Sequence, residues 1–309
     1  MNFINTGFFM NIIVVGTIAF DDVVTDHGTV TDIPGGSTLY FSAAASLFAP
    51  VSIVGVLGDD FPLEELHFLK QRGVNTDCLE IIKGGRTFRW GGAYETDMNI
   101  RKTTNLELNV FKDFNPVLNE QYRKSKYVFL GNINPELQLN VLRQVESPRF
   151  VGADTIECYI QNERDILVKV LKSVNLLMIN DEEARLLTGE HNIFSAVSAL
   201  LNFGPEYVIV KKGEHGSILV TENELFVVPA YPVEKVIDPT GAGDSFAGGT
   251  MGYIAKANSI NIKTIKSAVV YGGIVASYTV EEFSVHRLKN LTMAEIEERL
   301  ALFRSMTSF

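Results

Sequence analysis

Cysteine is scarce in this chain: Cys78 and Cys158 are the only two in 309 residues, and no CxxC or Cys/His ligand spacing exists. Both read as buried free thiols, in keeping with a reducing cytosol. Histidines are few, at 27, 67, 191, 215 and 286, and fall into no metal-ligand pattern. Positive charge is also in deficit, with 27 Lys and Arg against 37 Asp and Glu and a net charge of −10. An acidic chain without a basic run is a poor partner for nucleic acid or an anionic membrane. The apolar run 11–20 is too short to cross a bilayer and reads as a buried strand. Residues 1–10 carry apolar side chains but no basic n-region and no small-residue cleavage site. They read as a frayed extension or an artefact of start-codon choice, and a cytoplasmic protein is expected. Neither a GxxxxGK followed by Ser or Thr nor a GxGxxG occurs, so P-loop and dinucleotide-binding readings lack their required parts.

What is present is the composition of a globular enzyme, 46% hydrophobic and 21% charged, in a length that allows one large α/β domain or two domains. Continuous apolar runs at 12–15, 52–56, 127–130, 150–153, 176–179 and 207–210 predict buried strands. Helical stretches at 38–48, 63–72, 137–145, 163–172 and 181–187 lie between them. Fully apolar strands alternating with helices predict a largely parallel sheet covered on both faces. The ligand crevice of such a sheet lies beyond the carboxyl ends of its strands. Between 87 and 110 the helical period is lost, and Phe88, Trp90 and Tyr94 alternate around Gly91-Gly92. That pattern predicts hairpin strands, with the aromatics serving as sheet core, as a stacking surface or as a dimer contact.

The stretch 236–249 carries the most chemistry. A strand is predicted over 232–237, and a helix of small and apolar residues runs on from Phe246. Between them Gly241 and Gly243 flank Ala242, leaving bare backbone N–H groups at the start of a helix, where the dipole favours an anion. Asp244 stands beside that anion site, where a carboxylate would repel phosphate. Removal of a proton from a substrate hydroxyl gives it a reason, with the Gly241, Ala242 and Gly243 amides steadying a transferring phosphoryl group. The plainer alternative is a turn with Asp244 as a helix cap.

Other candidates follow the predicted strands. Asp21 sits past the first strand, Gly35 and Gly36 precede the 38–48 helix, and Asn132 and Asp154 close later strands, where each could touch substrate. Asn180-Asp-Glu-Glu183 reads as an N-cap with an acidic first turn, and its hard oxygens also suit Mg²⁺. Lys211, Gly213 and Gly216 follow the 207–210 run, where lysine can offset phosphate charge and glycine allows close approach; a plain hairpin turn is the alternative.

The segment Asp238-Pro-Thr-Gly-Ala-Gly-Asp-Ser-Phe246 resembles the C-terminal signature of the PfkB, or ribokinase-like, carbohydrate and nucleoside kinases, and Gly35-Gly36 resembles their N-terminal di-glycine. One departure stands out: Tyr40 occupies a position where the family commonly has a sugar-contacting asparagine. The likeness extends over the chain from about residue 11. It implies one ribokinase-like α/β domain over 1–309, with a mostly parallel central sheet, helices on both faces and a small β-strand lid formed by about 17–36 and 86–108. By the same resemblance Asp244 is the catalytic base and 241–243 the anion hole. Asp21, Gly35, Gly36 and Tyr40 meet the acceptor, and Asn180, Lys211, Gly213 and Gly216 the nucleotide. Asn180 and Glu183 order Mg²⁺ through water, and Asp238 adjoins a monovalent cation such as K⁺. The implied reaction is ATP-dependent phosphorylation of a primary hydroxyl of a sugar or sugar derivative. A nucleoside acceptor and a non-catalytic sensor are the alternatives, and the lid offers a surface for a homodimer.

Overall fold

The computed structural model describes residues 11–308, so the expectation for residues 1–10 lies outside the described residues. Strand β1 (Ile12–Val15) is buried throughout, and its side chains divide by parity. Ile12 and Val14 enter one apolar core, while Ile13 and Val15 enter a second on the opposite face. A strand buried on both faces has no polar side to show, which is why its sequence is continuously apolar.

The same logic holds along β4 (Val51–Gly58), β8 (Tyr127–Leu130), β9 (Phe150–Asp154), β10 (Leu176–Asn180) and β11 (Tyr207–Lys211), while β5 (Asn75–Ile82), polar and partly exposed, forms one edge and β12 (Ser217–Val220) and β13 (Leu225–Val228) join at the other. The nine strands run in the order β13-β12-β11-β10-β9-β8-β1-β4-β5. Pairing is parallel from β5 to β11, and only β12 and β13 turn back antiparallel. Strands β2 (Ala19–Thr25), β3 (Gly28–Gly35), β6 (Phe88–Tyr94) and β7 (Arg101–Glu107) form a separate four-stranded sheet, in the order β3-β2-β6-β7. The chain is therefore α/β, with helices on both faces of a mostly parallel sheet and a small second sheet. Among the described residues no helix is long and apolar enough to cross a membrane.

Three local expectations are corrected. No strand forms over 232–237; the Ile237 and Asp238 N–H groups donate to Val280 O instead, and the following helix begins at Ala242. The 63–72 stretch splits into a 3₁₀ turn (Leu63–Leu66) and a short helix (His67–Gln71). Cys78 is only half-buried and Cys158 is exposed, so neither is the buried thiol expected.

Two helices set the site. Every residue of the Ser37–Ala45 helix is buried, and it lies against the Ala242–Ala257 helix. Glycine makes this contact close: a Cβ on Gly248 would strike Phe41 O, and one on Gly252 would stand 3.0 Å from Ala45 O. On its other side the Ala242–Ala257 helix meets the Ile262–Thr279 helix, where a Cβ on Gly249 would lie 3.1 Å from Gly272 Cα. Backbone cannot shift as a side chain can, so Gly248→Val should force the helices apart. A loss of about 3 kcal/mol is expected in urea unfolding. An unchanged midpoint would show that the helix pair tolerates separation.

Candidate active site

Parallel pairing brings the carboxyl ends of the strands to one edge of the large sheet. Register places Asn180 opposite Lys211, and Asp154 opposite Met178 two residues before Asn180. The 238–241 loop reaches this edge and launches the Ala242–Ala257 helix across it.

The launch is a built turn. Asp238 is 1% exposed; its Oδ1 accepts from Thr240 N at 2.8 Å and its Oδ2 from Ser284 N at 3.4 Å. Gly241 then takes a left-handed conformation, φ 74°, which a side chain would resist. Its open face is covered by the Tyr40 ring, which leaves no room for a Cβ. The Ala242 N–H, expected as an anion donor, is turned back onto Pro239 O at 3.2 Å. Among the described residues the Gly241 and Gly243 amides meet no acceptor, so these two remain open for an anion.

Around them lies a cluster of charge. Asp244 Oδ1 is sealed from solvent and, among the described residues, has no hydrogen-bond partner. Burial, then the Asp154 charge, push its carboxyl up to about 7, while Lys211 and Arg101 work the other way. Glu183 is likewise pushed up to about 7, first by burial and then by Asp154. Lys211 Nζ donates to Asp154 Oδ2 at 3.0 Å and stands 3.2 Å from where a Gly243 Cβ would be. Burial works to lower its pKa, but Asp154 and Glu183 together hold it above its ordinary value.

Several expected residues have contacts within the protein. Asp154 makes its contacts within the protein: it is buried, its second oxygen accepts from Thr155 N at 2.8 Å, and it fixes Lys211. Gly216 makes room for the Val228 carbonyl, which gives its missing side chain a packing role. Asn132 is half-buried just past β8 and joins no side-chain hydrogen bond among the described residues. Asn180 and Glu183 form a full capping box, Asn180 Oδ1 accepting from Glu183 N at 2.7 Å and Glu183 Oε2 from Asn180 N at 3.0 Å. That leaves Glu183 Oε1 for other work. Among the described residues no three metal-ligating side chains converge. The donor set fits an Mg²⁺ held mainly by phosphate and water, the usual preference of that ion, and not an all-protein cage. Both Asp238 oxygens are occupied by backbone N–H groups, so its hydrogen bonding does not call for a monovalent cation.

The small sheet closes the other side. Asp21 packs its carboxylate against Gly35, where a side chain would collide with it, and the Gly36 N–H faces the carboxylate. Burial, then Asp238, raise its pKa well above the carboxylate range. Register puts Asp21, Trp90 and Leu106 side by side across β2, β6 and β7, hence on one face. Two residues on, the same face carries Gly92, and beyond it Tyr94 paired with Arg101. That face turns toward the large sheet's edge: Thr25 Oγ1 donates to Ile237 O at 3.0 Å, and Tyr94 Oη lies 3.1 Å from Thr240 Oγ1. At the hairpin tip Asn99 Nδ2 donates to Glu214 Oε1 at 3.0 Å, over the Gly213–His215 turn. Sequence reasoning named Tyr94 only as one of the hairpin aromatics and gave Asn99, Arg101 and Thr240 no place at the site, although the alternation of β6 was a signal that Trp90 and Tyr94 share a face.

The family model described as pfkB family carbohydrate kinase matches residues 10–288. A cytidine kinase of Thermococcus kodakarensis is 29% identical over 247 residues, 78% of this chain and 87% of that one. A nucleoside kinase of Methanocaldococcus jannaschii is 25% identical over 272 residues, 83% of this chain and 84% of that one. Among solved structures, a putative ribokinase II from E. coli in complex with ATP and Mg²⁺ superposes with a TM-score of 0.78 at 19% identity, covering 94% of this chain and 99% of that one.

The raised Asp244 carboxyl has a stability signature. An unfolded aspartate ionises near pH 4, and this one near 7, so between those values the folded chain holds a proton that the unfolded chain has lost. Stability from this group therefore falls as pH rises through that window. Asp244→Asn should be more stable than the parent above pH 7, on the order of 2 kcal/mol after solvent screening, and the gain should vanish near pH 4. Urea unfolding at pH 4, 6 and 8 measures it; a pH-independent difference would mean that the carboxyl is not shifted.

Proposed function

Because this chain belongs to the pfkB family of carbohydrate kinases, and is an ATP-dependent phosphotransferase acting on a hydroxyl of a sugar or nucleoside, we propose that its acceptor is a nucleoside and that Asp244 is the base. The observation that carries the base assignment is Asp244 Oδ1, buried without a partner beside two open amides. An unsatisfied carboxylate oxygen at a helix start is costly, and an incoming alcohol O–H supplies the missing donor. A carboxyl near 7 is matched to that task, being ionised in a sizeable fraction at neutral pH yet basic enough to take the proton.

The Gly241 and Gly243 N–H groups and the Lys211 ammonium, fixed by Asp154, hold the phosphoryl oxygens as charge develops on them. ATP with a divalent ion supplies the phosphoryl group, and Glu183 Oε1 and the Asn180 turn are the residues placed to order the ion's water. The small sheet, drawn over the site by Thr25, Tyr94 and Asn99, excludes water that would otherwise compete with the acceptor.

For the acceptor, Asp21 offers a carboxylate to ribose hydroxyls, and its row-mates Trp90 and Leu106 offer an apolar surface. Leu106 is 57% exposed, an open apolar patch facing the same side as a carboxylate that grips polyols. A free sugar has no use for that patch, whereas a nucleobase does. The two related kinases named for cytidine and nucleoside agree with this reading. A pure sensor would have no need of the unpartnered base.

An ADP-release assay over nucleosides and free pentoses and hexoses should give its highest kcat/KM with a nucleoside. Trp90→Ala should raise the nucleoside KM by about tenfold with a smaller change in kcat. Turnover confined to free sugars would overturn the nucleoside assignment. Asp244→Asn should leave acceptor affinity largely intact while kcat falls by about two to four orders of magnitude; equal turnover would remove the base.

A further inference from the structure

Tyr40 has a feature that neither core packing nor the chemistry above explains. The residue is 1% exposed, and its hydroxyl oxygen is sealed from solvent without a hydrogen-bond partner. Its ring covers Gly241, the first residue of the anion turn. The Tyr40 helix starts just after Gly35, on which the Asp21 carboxylate packs, and its ring lies on Gly241, three residues before Asp244, so Tyr40 stands between the acceptor carboxylate and the base. The other tyrosine hydroxyl at this place, that of Tyr94, is already engaged by Thr240.

The charged groups that act on the Tyr40 hydroxyl are carboxyls, those of Asp21, Asp238 and Asp244, and both Asp238 oxygens are already taken by backbone N–H groups. Asp21 and Asp244 suit the hydroxyls of an acceptor, which donate. A ring ether oxygen has no proton to give and can only accept. Burial first, and then Asp21, drive the Tyr40 pKa upward, so the phenol stays neutral and keeps its proton to donate. An unpartnered buried donor beside two acceptor groups is the complement that a cyclic sugar requires.

We propose that Tyr40 is a specificity-determining residue whose hydroxyl donates to the ring oxygen of a furanoside, next to the hydroxymethyl group presented to Asp244. The inference rests on the nucleoside reading above and sharpens it. The pocket then favours acceptors whose hydroxymethyl carbon is attached to a carbon bearing a ring ether oxygen, and disfavours carbocyclic or open-chain analogues of the same size.

The test compares adenosine and cytidine with their carbocyclic analogues, in which a methylene replaces the ring oxygen, using the intact wild-type enzyme and Tyr40→Phe. Wild type should prefer each ribofuranoside by about 10- to 100-fold in kcat/KM, the loss expected when a buried donor is left without its acceptor. In Tyr40→Phe the preference should shrink to within about threefold. Both acceptors are measured on the same sample, so a partly inactive preparation cancels from the ratio. The ligand-free variant should melt no lower than wild type, because the lost hydroxyl has no partner in the free protein. Nucleoside turnover with an undiminished ring-oxygen preference in Tyr40→Phe overturns this inference alone. Absence of nucleoside turnover by wild type overturns the nucleoside reading and this inference with it.

Discussion

A carboxylate oxygen held away from water and given no hydrogen-bond partner raises the free energy of the folded chain, and the rest of this structure must offset that. Asp244 is held there because its helix cannot move. The Ala242–Ala257 helix is clamped on two sides by backbone-to-backbone contacts at Gly248, Gly252 and Gly249. The turn before it is fixed by Asp238, whose oxygens accept from Thr240 N and Ser284 N, and the Ala242 N–H is bound to Pro239 O. Contacts of that kind have little compliance, so a strained side chain at the helix start cannot relax by tilting the helix. Strain stored in an over-determined place is available to a ligand that relieves it.

The charge balance around this oxygen points the same way. Asp154, Glu183 and Asp244 share the edge with Lys211, whose contact with Asp154 at 3.0 Å is the ion pair formed within the cluster. Glu183 and Asp244 are pushed up to about 7 first by burial and then by the Asp154 charge, so the cluster carries more acid than its positive charge offsets. Phosphate groups entering alone would worsen the imbalance; entering with a divalent ion they correct it. Arg101, on the small sheet, lowers the pKa of both raised carboxyls, so closure of that sheet also brings positive charge to the edge.

Much of this was legible from residue order because it is local. A continuous apolar run such as Ile12–Val15 can be buried only on both faces, and Asn180 with Glu183 three residues on is a capping box whatever surrounds it. The bare amides at Gly241 and Gly243 follow from the absence of side chains there. Failures came where the deciding partner is distant. The 232–237 segment has the composition of a strand, but no strand lies beside it to pair with, and Val280 takes the N–H groups of Ile237 and Asp238. Asp154 was placed correctly at a strand end, yet its lysine stands two strands away in the sheet, a proximity that needs the strand order to be known. Ala242 resembles its glycine neighbours in smallness, and only the turn geometry shows its N–H to be spent on Pro239.

The two sheets are joined in a way that fits alternation between open and closed states. Within each sheet the strands are bound by ladders, and the small sheet is tied to the rest of the chain by single hydrogen bonds, among them those of Thr25 to Ile237, Tyr94 to Thr240, Asn99 to Glu214 and Ser284 to Pro34 O. Each is worth about 0.5–1.5 kcal/mol net, so together they amount to a few kcal/mol, well below the cost of breaking a ladder. Asp21 belongs to the small sheet, while Asp244 and Lys211 belong to the edge of the large one. Parting the sheets would therefore separate Asp21 from Asp244 and Lys211. Under the proposed function, a ligand bridging Asp21 and Asp244 would add its own contacts to these single bonds and so favour the closed arrangement over the open one.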